Sequence, residues 1–555
     1  MPRPGPRPPP LVDVVLVSIR MPSLKVIAPP PSESNPPPGA QAPSASHTRI
    51  RHVAFVVGDI GGDVAGDRPI LSTPSGDLRG DTEGGIGVWR GVPYAEQPIG
   101  LRRFVAPEPL TPWTGVRDAI EHGPLPPQAK SFVGGGRDDP KTRDEACLTL
   151  TVWSPDTAKS LPVMVWIPGG AFVYGAGQFQ FYNGSRLAAN GDVVVVNVTY
   201  RIGVFGGFEL GDLGDGFDDN LALRDQIAAL RWVRDNIAAF GGDPDRVTVF
   251  GESAGATSVL ALMATPEANG LFHRAIAQSP ALPLIADREF RAANAEEFVR
   301  RLGVDAGELK ALPQRQLRRA AGILQLKSTR TTPTLAYGLT HGTDLLPLHP
   351  VEAARRASIA QVPLIIGTNS HEASMFAWTK PPMLPTTRVS IDNYFARVAP
   401  HAKQAVLQAY PGYPRRSALV ALGSDAMFGG PTWAFADAYA EHAPTRMYRF
   451  DHFGMSLRML GLGATHGSEI VHIHHSYASF VGRKLHPLGR RIQPGVGRRM
   501  QRAWLDFAKN TQGVDAEHWP RYDTAKRMTR LIASTRDVMS SDPDQLRRSA
   551  WSAVY

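Results

Sequence analysis

The run Val247-Thr248-Val249-Phe250-Gly251-Glu252-Ser253-Ala254-Gly255 constrains this chain more than any other stretch. Its β-branched and aromatic residues favour a strand, and G-x-S-x-G follows with no intervening loop. The apolar stretch Ala256 to Met263 then continues as a helix. A strand must therefore reverse into a helix within a few residues, with Ser253 at the apex and its hydroxyl exposed. Gly251 and Gly255 lack the Cβ atoms that so tight a reversal would bring into collision.

From Arg68 onward, strand-like and helix-like patterns alternate. Pro162 to Ile167 is a continuous apolar run that leads into a glycine-rich loop, and Asp192 to Val198 is a second, rich in valine. Leu221 to Phe240 has helical spacing and stops before Gly241-Gly242. Arg246 to Phe250, Ala275 to Gln278, Val362 to Gly367 and Met447 to Phe450 read as further strands. Uninterrupted apolar strands separated by helices predict an α/β fold, with a mostly parallel sheet covered on both faces. Ligands of such sheets sit beyond the carboxyl ends of the strands, which is where Ser253 falls.

Residues 1–66 differ from the rest. Roughly a quarter of the prolines lie in the first 43 positions, a composition that favours polyproline II and buries too little apolar surface to fold. The expectation is a disordered extension, or an upstream start with Met21 as the true one, preceding a single domain over 67–555. The segment lacks the basic start, unbroken apolar core and small-residue cleavage site of a secretory signal. A cytoplasmic location is expected, with secretion as the alternative. No apolar run approaches the ~20 residues needed to cross a bilayer.

The net charge of +9 does not imply nucleic-acid binding. Roughly four of those charges belong to residues 1–51, where six basic residues stand against Asp13 and Glu33, and the basic cluster from Arg483 to Arg502 carries no recognised binding motif. Cys147 is the only cysteine, which excludes an intrachain disulfide and a cysteine-rich metal site. Its alternating surroundings predict a buried structural thiol. No Gly-Lys-Ser/Thr follows a glycine-rich turn, so a P-loop is excluded as well.

A serine hydroxyl needs a base to remove its proton, and the base needs an acid to hold its tautomer. Proteins with this strand–turn–helix element place the acid after the serine and the histidine last. Val362 to Gly367 delivers Glu372 into the loop beyond a strand, so Glu372 is the candidate acid. His466 lies in the small-residue loop Gly463-Ala464-Thr465-His466-Gly467 and is the candidate base, with His475 second. His472, His474 and His475 fall in a run with helical character, and His371 is expected on a loop or surface. The loop Pro168-Gly169-Gly170-Ala171-Phe172 follows an apolar strand. Its amides at Gly170 and Ala171, with that of Ala254, are candidate donors to an oxyanion.

These stretches together resemble the type B carboxylesterases of the α/β-hydrolase fold, which include the cholinesterases, and most of all their bacterial p-nitrobenzyl esterase branch. The likeness runs from Arg90-Gly91-Val92-Pro93-Tyr94-Ala95 and Leu101-Arg102-Arg103-Phe104 through Asp225-Gln226 and Phe240-Gly241-Gly242-Asp243-Pro244. It continues through Gly251-Glu252-Ser253-Ala254-Gly255, Gly367-Thr368-Asn369 with Glu372, and His466-Gly467 with Glu469, to Trp519-Pro520. It implies Ser253, Glu372 and His466 as a catalytic triad, and Glu252 and Ser279 as polar groups beside it. It also implies ester hydrolysis through an acyl-enzyme with no cofactor and no metal, and the mainly apolar cleft expected there favours uncharged esters of small to medium size. Lipolysis, amide cleavage, carbamate hydrolysis and a non-catalytic binding module are the alternatives within the same resemblance.

Three departures stand out. Pro168 replaces the His or Tyr usual before the glycines, Ala171 replaces a common third glycine, and Ala146 replaces an Asp before the cysteine. Phe132 is the one aromatic between Asp118 and Cys147, which argues against a choline-binding cage. Oligomeric state is not legible.

Overall fold

The computed structural model describes residues 68–129, 142–331, 335–379, 383–487, 489, 495–509 and 518–555. The proline-rich segment 1–66 and Phe132 lie outside the described residues.

Among the described residues, eleven strands form the main sheet. In chain order they are β1 (Asp81–Glu83), β2 (Ile86–Pro93), β3 (Thr149–Ser154), β4 (Leu161–Ile167), β5 (Val194–Thr199) and β6 (Gly242–Glu252). The others are β7 (Arg274–Gln278), β8 (Leu364–Asn369), β9 (Thr445–Phe450), β10 (Met528–Ile532) and β11 (Asp537–Ser541). Across the sheet the order is β11-β10-β9-β8-β7-β6-β4-β5-β3-β2-β1. The block from β10 to β5 is parallel throughout. β11 closes one edge and β3, β2 and β1 the other, all antiparallel. β6, the strand that carries the serine turn, is thus in the middle.

The continuous apolar runs are explained by burial on both faces. In β4, Val163, Val165 and Ile167 enter one core while Met164 and Trp166 enter the other. The same alternation separates Val247 and Val249 from Phe250 in β6, and Leu364 and Ile366 from Ile365 in β8. Successive side chains of a strand point to opposite faces, and helices cover both.

The helix after β5 spans Leu221–Asn236 and ends in a 3-10 turn over Ile237–Phe240. It turns its apolar side to the sheet and carries Asp225 inward, where the carboxylate binds Arg201 through a 2.6 Å ion pair with both side chains enclosed. Cys147 is fully buried just before β3, and burial raises its thiol far above the usual range. It is an inert packing residue.

Candidate active site

Because the central strands share one direction, the loops leaving their carboxyl ends emerge along one edge of the sheet. Ser253 follows β6, Ser279 follows β7, Glu372 lies just beyond β8 and His466 lies in the segment after β9. The loop Pro168–Phe172 leaves β4 on the other side of β6.

Ser253 has φ 59° and ψ −125°, a conformation that costs an L residue ~1–3 kcal/mol. Its surroundings hold it there. The Ser253 N–H donates to the Gln278 carbonyl at 2.9 Å, and its own carbonyl accepts from the N–H and hydroxyl of Thr257 at 2.8 and 3.1 Å. A Cβ on Gly251 would lie 2.6 Å from the Gly255 carbonyl carbon, and one on Gly255 would overlap the Ile167 carbonyl oxygen. Both glycines are therefore dictated by close approach, to each other and to the end of β4. The helix Ala254–Met263 starts immediately after the serine.

The loop after β4 lies against this turn, since a Cβ on Gly169 would approach the Ser253 Cβ at 3.0 Å. Gly170, Ala171 and Phe172 have φ of 124°, 55° and 57°, three consecutive residues in the region unfavourable to side chains. Among the described residues, the amides of Gly170, Ala171 and Ala254 donate no backbone hydrogen bond within the chain. Pro168 keeps a role through its carbonyl, which accepts from the Tyr200 hydroxyl at 2.7 Å.

Glu372 begins a short 3-10 turn and is 1% exposed. Its Oε2 lies 2.6 Å from His466 Nδ1, and its Oε1 accepts from the Asn369 N–H at 2.7 Å. The other face of the imidazole meets Glu252, whose Oε1 is 3.1 Å from Nε2. That approach is at ion-pair distance but off the hydrogen-bond direction, so both atoms remain without a hydrogen-bond partner. The contact is coulombic. In this conformation the Ser253 hydroxyl is likewise not bonded to Nε2.

A third carboxylate, Glu469, is fully enclosed nearby. It accepts from Asn369 Nδ2 at 2.5 Å and from Gln278 Nε2 at 3.5 Å. Burial alone would lower the His466 pKa, but Glu252 and Glu372 more than reverse this and raise it to about 9. Burial raises Glu252 to about 8 against the pull of His466, and raises Glu469 to about 7 with repulsion from Glu372. The cluster is thus short of charge compensation, and its protons are shared among coupled groups. Phe428 and Phe376 flank the imidazole, with ring centroids 4.5 and 5.4 Å away.

The other histidines fall elsewhere. His474 packs edge-on against Trp166 in the core, and His371 is exposed with its Nδ1 at 2.9 Å from the Ser370 hydroxyl. The ring of His475 lies against Tyr477, and the imidazole bonded to Glu372 is that of His466. Ser279 is buried with φ 50°, and its hydroxyl bonds to none of the candidate groups. Sequence reasoning gave no role to Gln278, Phe376 or Phe428, and quoted Glu469 without one. The proximity of Glu469 to His466 in the chain was a usable signal; for Phe428, 38 positions before His466, there was none.

The carboxylesterase family pattern matches residues 67–551. The para-nitrobenzyl esterase of Bacillus subtilis (strain 168) is 35% identical over 493 residues, covering 86% of this chain and 97% of that protein. The chain belongs to the carboxylesterase family. Phenmedipham hydrolase of Pseudarthrobacter oxydans is also 35% identical, over 456 residues, 80% of this chain and 90% of its own length. A solved PNB esterase structure superposes with a TM-score of 0.79 at 34% identity, covering 87% of this chain and 99% of the other. The fold is that of the α/β-hydrolases, and this carboxylesterase is a carboxylic ester hydrolase. Among the described residues, no helix is long and apolar enough to cross a membrane.

Proposed function

We propose that this carboxylesterase cleaves small uncharged esters through an acyl-enzyme on Ser253. His466 takes the hydroxyl proton at Nε2 as Ser253 attacks the carbonyl, then returns it to the departing alcohol. Glu372 holds the Nδ1 proton and stabilises the imidazolium. The amides of Gly170, Ala171 and Ala254 receive the developing oxyanion, aided by the helix N-terminus at Ala254. Water then repeats the attack on the acyl group with His466 again as base, releasing the acid. No cofactor enters this sequence.

The observation that carries this reading is the 2.6 Å Glu372–His466 contact with Nε2 left unpartnered, on the sheet edge that also bears Ser253. Catalytic hydrogen bonds in resting enzymes are often long and tighten around substrate. Phe376 and Phe428 offer apolar walls at the imidazole. Those apolar walls favour uncharged esters.

The test is a fluorophosphonate probe followed by mass spectrometry, with aryl acetate hydrolysis assayed in parallel. The label is expected on Ser253 alone, and Ser253→Ala should lose ~10⁴–10⁶ in kcat. A label on another hydroxyl, or hydrolysis that survives the substitution, would sink the assignment.

A further inference from the structure

Three histidines from three separate segments converge, none of them a candidate catalytic group. His452 lies in the loop after β9, His472 in the short helix Ile470–Ile473, and His486 directly after the helix Phe480–Leu485. Their ring centroids are 5.0 Å apart for His452 and His472, 4.5 Å for His472 and His486, and 5.7 Å for His452 and His486. One ring nitrogen from each lies within 4.8 Å of those from the other two.

The nitrogens are more informative than the rings. Nε2 of all three is buried and has no hydrogen-bond partner. His472 is completely enclosed and His486 is 7% exposed, while His452 is half-buried. Buried polar atoms are nearly always paired, and leaving three orphaned is costly. Two of the opposite nitrogens are anchored. His472 Nδ1 lies 2.8 Å from the Tyr477 hydroxyl, and His452 Nδ1 lies 2.8 Å from the Ser534 hydroxyl. A hydrogen bond at one ring nitrogen with the other left free is how metal-ligating histidines are oriented.

The packing makes room for this cluster. A Cβ on Gly454 would sit 2.8 Å from His486 Nδ1, and one on Gly497 would strike the Tyr477 hydroxyl. Burial lowers the pKa of all three rings, with added repulsion among them and, for His452, from Arg499. Arg499 itself is engaged with Asp537 at 3.1 Å.

We propose that His452, His472 and His486 bind one borderline divalent transition-metal ion, zinc foremost, through these unpartnered nitrogens. An all-imidazole set suits zinc, cobalt, nickel or copper and disfavours calcium and magnesium, which take oxygen ligands. Tetrahedral zinc holds nitrogens at 2.0–2.1 Å, hence about 3.3 Å from one another. Binding would draw the three nitrogens in from their present span of up to 4.8 Å. A fourth ligand, such as water, would complete the tetrahedron. The ion's role is structural: it ties the loop after β9 to the segment that continues from His466 and Glu469. This inference does not depend on the proposed esterase mechanism.

The test uses the full untagged chain, stripped with a chelator and titrated with cobalt(II), then zinc(II). About one equivalent of cobalt is expected to give visible ligand-field bands that zinc abolishes, and zinc should raise the thermal midpoint by a few degrees. His452→Gln, at the half-buried corner, should remove both effects, as should His486→Gln, while His401→Gln on the exposed surface should preserve them. Bands that persist in both cluster variants would assign the metal to other histidines, such as His47 or His52. No bands and no thermal shift in the unsubstituted chain would leave the three rings as packing alone. Either result overturns the proposal, and the second needs no variant to fold.

Discussion

His466 and His472 stand six positions apart and both are enclosed, yet their protonation equilibria are displaced in opposite directions. His466 lies between Glu252 and Glu372 and is raised to about 9. His472 lies among His452, His475 and His486, and its pKa falls well below the usual imidazole range. Burial pushes both the same way, toward the neutral ring. Neighbouring charge decides the outcome: carboxylates reverse the burial effect, whereas other imidazoles reinforce it. One region is therefore built to take up a proton, and the other to expose lone pairs.

The sharpest way to break this contrast is to remove the carboxylate at Nδ1. Glu372→Gln should lower kcat for an aryl ester by ~10⁴, because the ring loses both its tautomer lock and the charge that stabilises imidazolium. A loss of less than tenfold would deny Glu372 its proposed part. Gly170→Ala comes next. Its Cβ would collide with the Tyr174 carbonyl oxygen and displace one amide, for an expected loss of ~10²–10³ in kcat. The protein should stay folded by circular dichroism, and unchanged kinetics would remove the loop from the mechanism.

Glu252→Gln should act mainly on the pH profile. A general base must be neutral, so activity rises with pH through the His466 equilibrium. Without the Glu252 charge that equilibrium falls, and the acid limb of kcat/KM should move to lower pH by about one unit. An acid limb that stays in place would mean Glu252 does not set the His466 equilibrium. The smallest effect belongs to the histidine cluster in metal-free protein. Burial lowers His486 to about 4, so the unfolded chain takes up that proton near 6.5 while the folded chain does not. This contribution is intact above about 6.5 and is lost as pH falls toward the folded value. Thermal midpoints of His486→Gln should therefore decline less between pH 6.5 and 4 than those of the unsubstituted chain. Parallel declines would show that the ring titrates as it does in water.

Much of the architecture was legible because its signals are local. Apolar runs such as Val163 to Ile167 required strands covered on both faces, and the strand bounds shifted by only a few residues at their ends. Ser253 could be located because the turn that presents it is specified within nine residues. Glu372 and His466 were put forward less directly, from strand ends and chain order, and the structure brings their side chains to 2.6 Å. The surroundings of the imidazole were beyond reach: Phe428 and the Nε2 contact of Glu252 depend on segments far apart in the chain.

The sequence alone determined the parallel sheet and the serine turn, since periodicity and steric demand act between neighbouring residues. Only the tertiary structure decided which charges face each ring. His452, His472 and His486 share no spacing that marks a site, and Glu252 was legible as a neighbour of Ser253 rather than as a charge against His466. Electrostatic effects act through space over a few ångströms, and the packing of whole elements sets those distances.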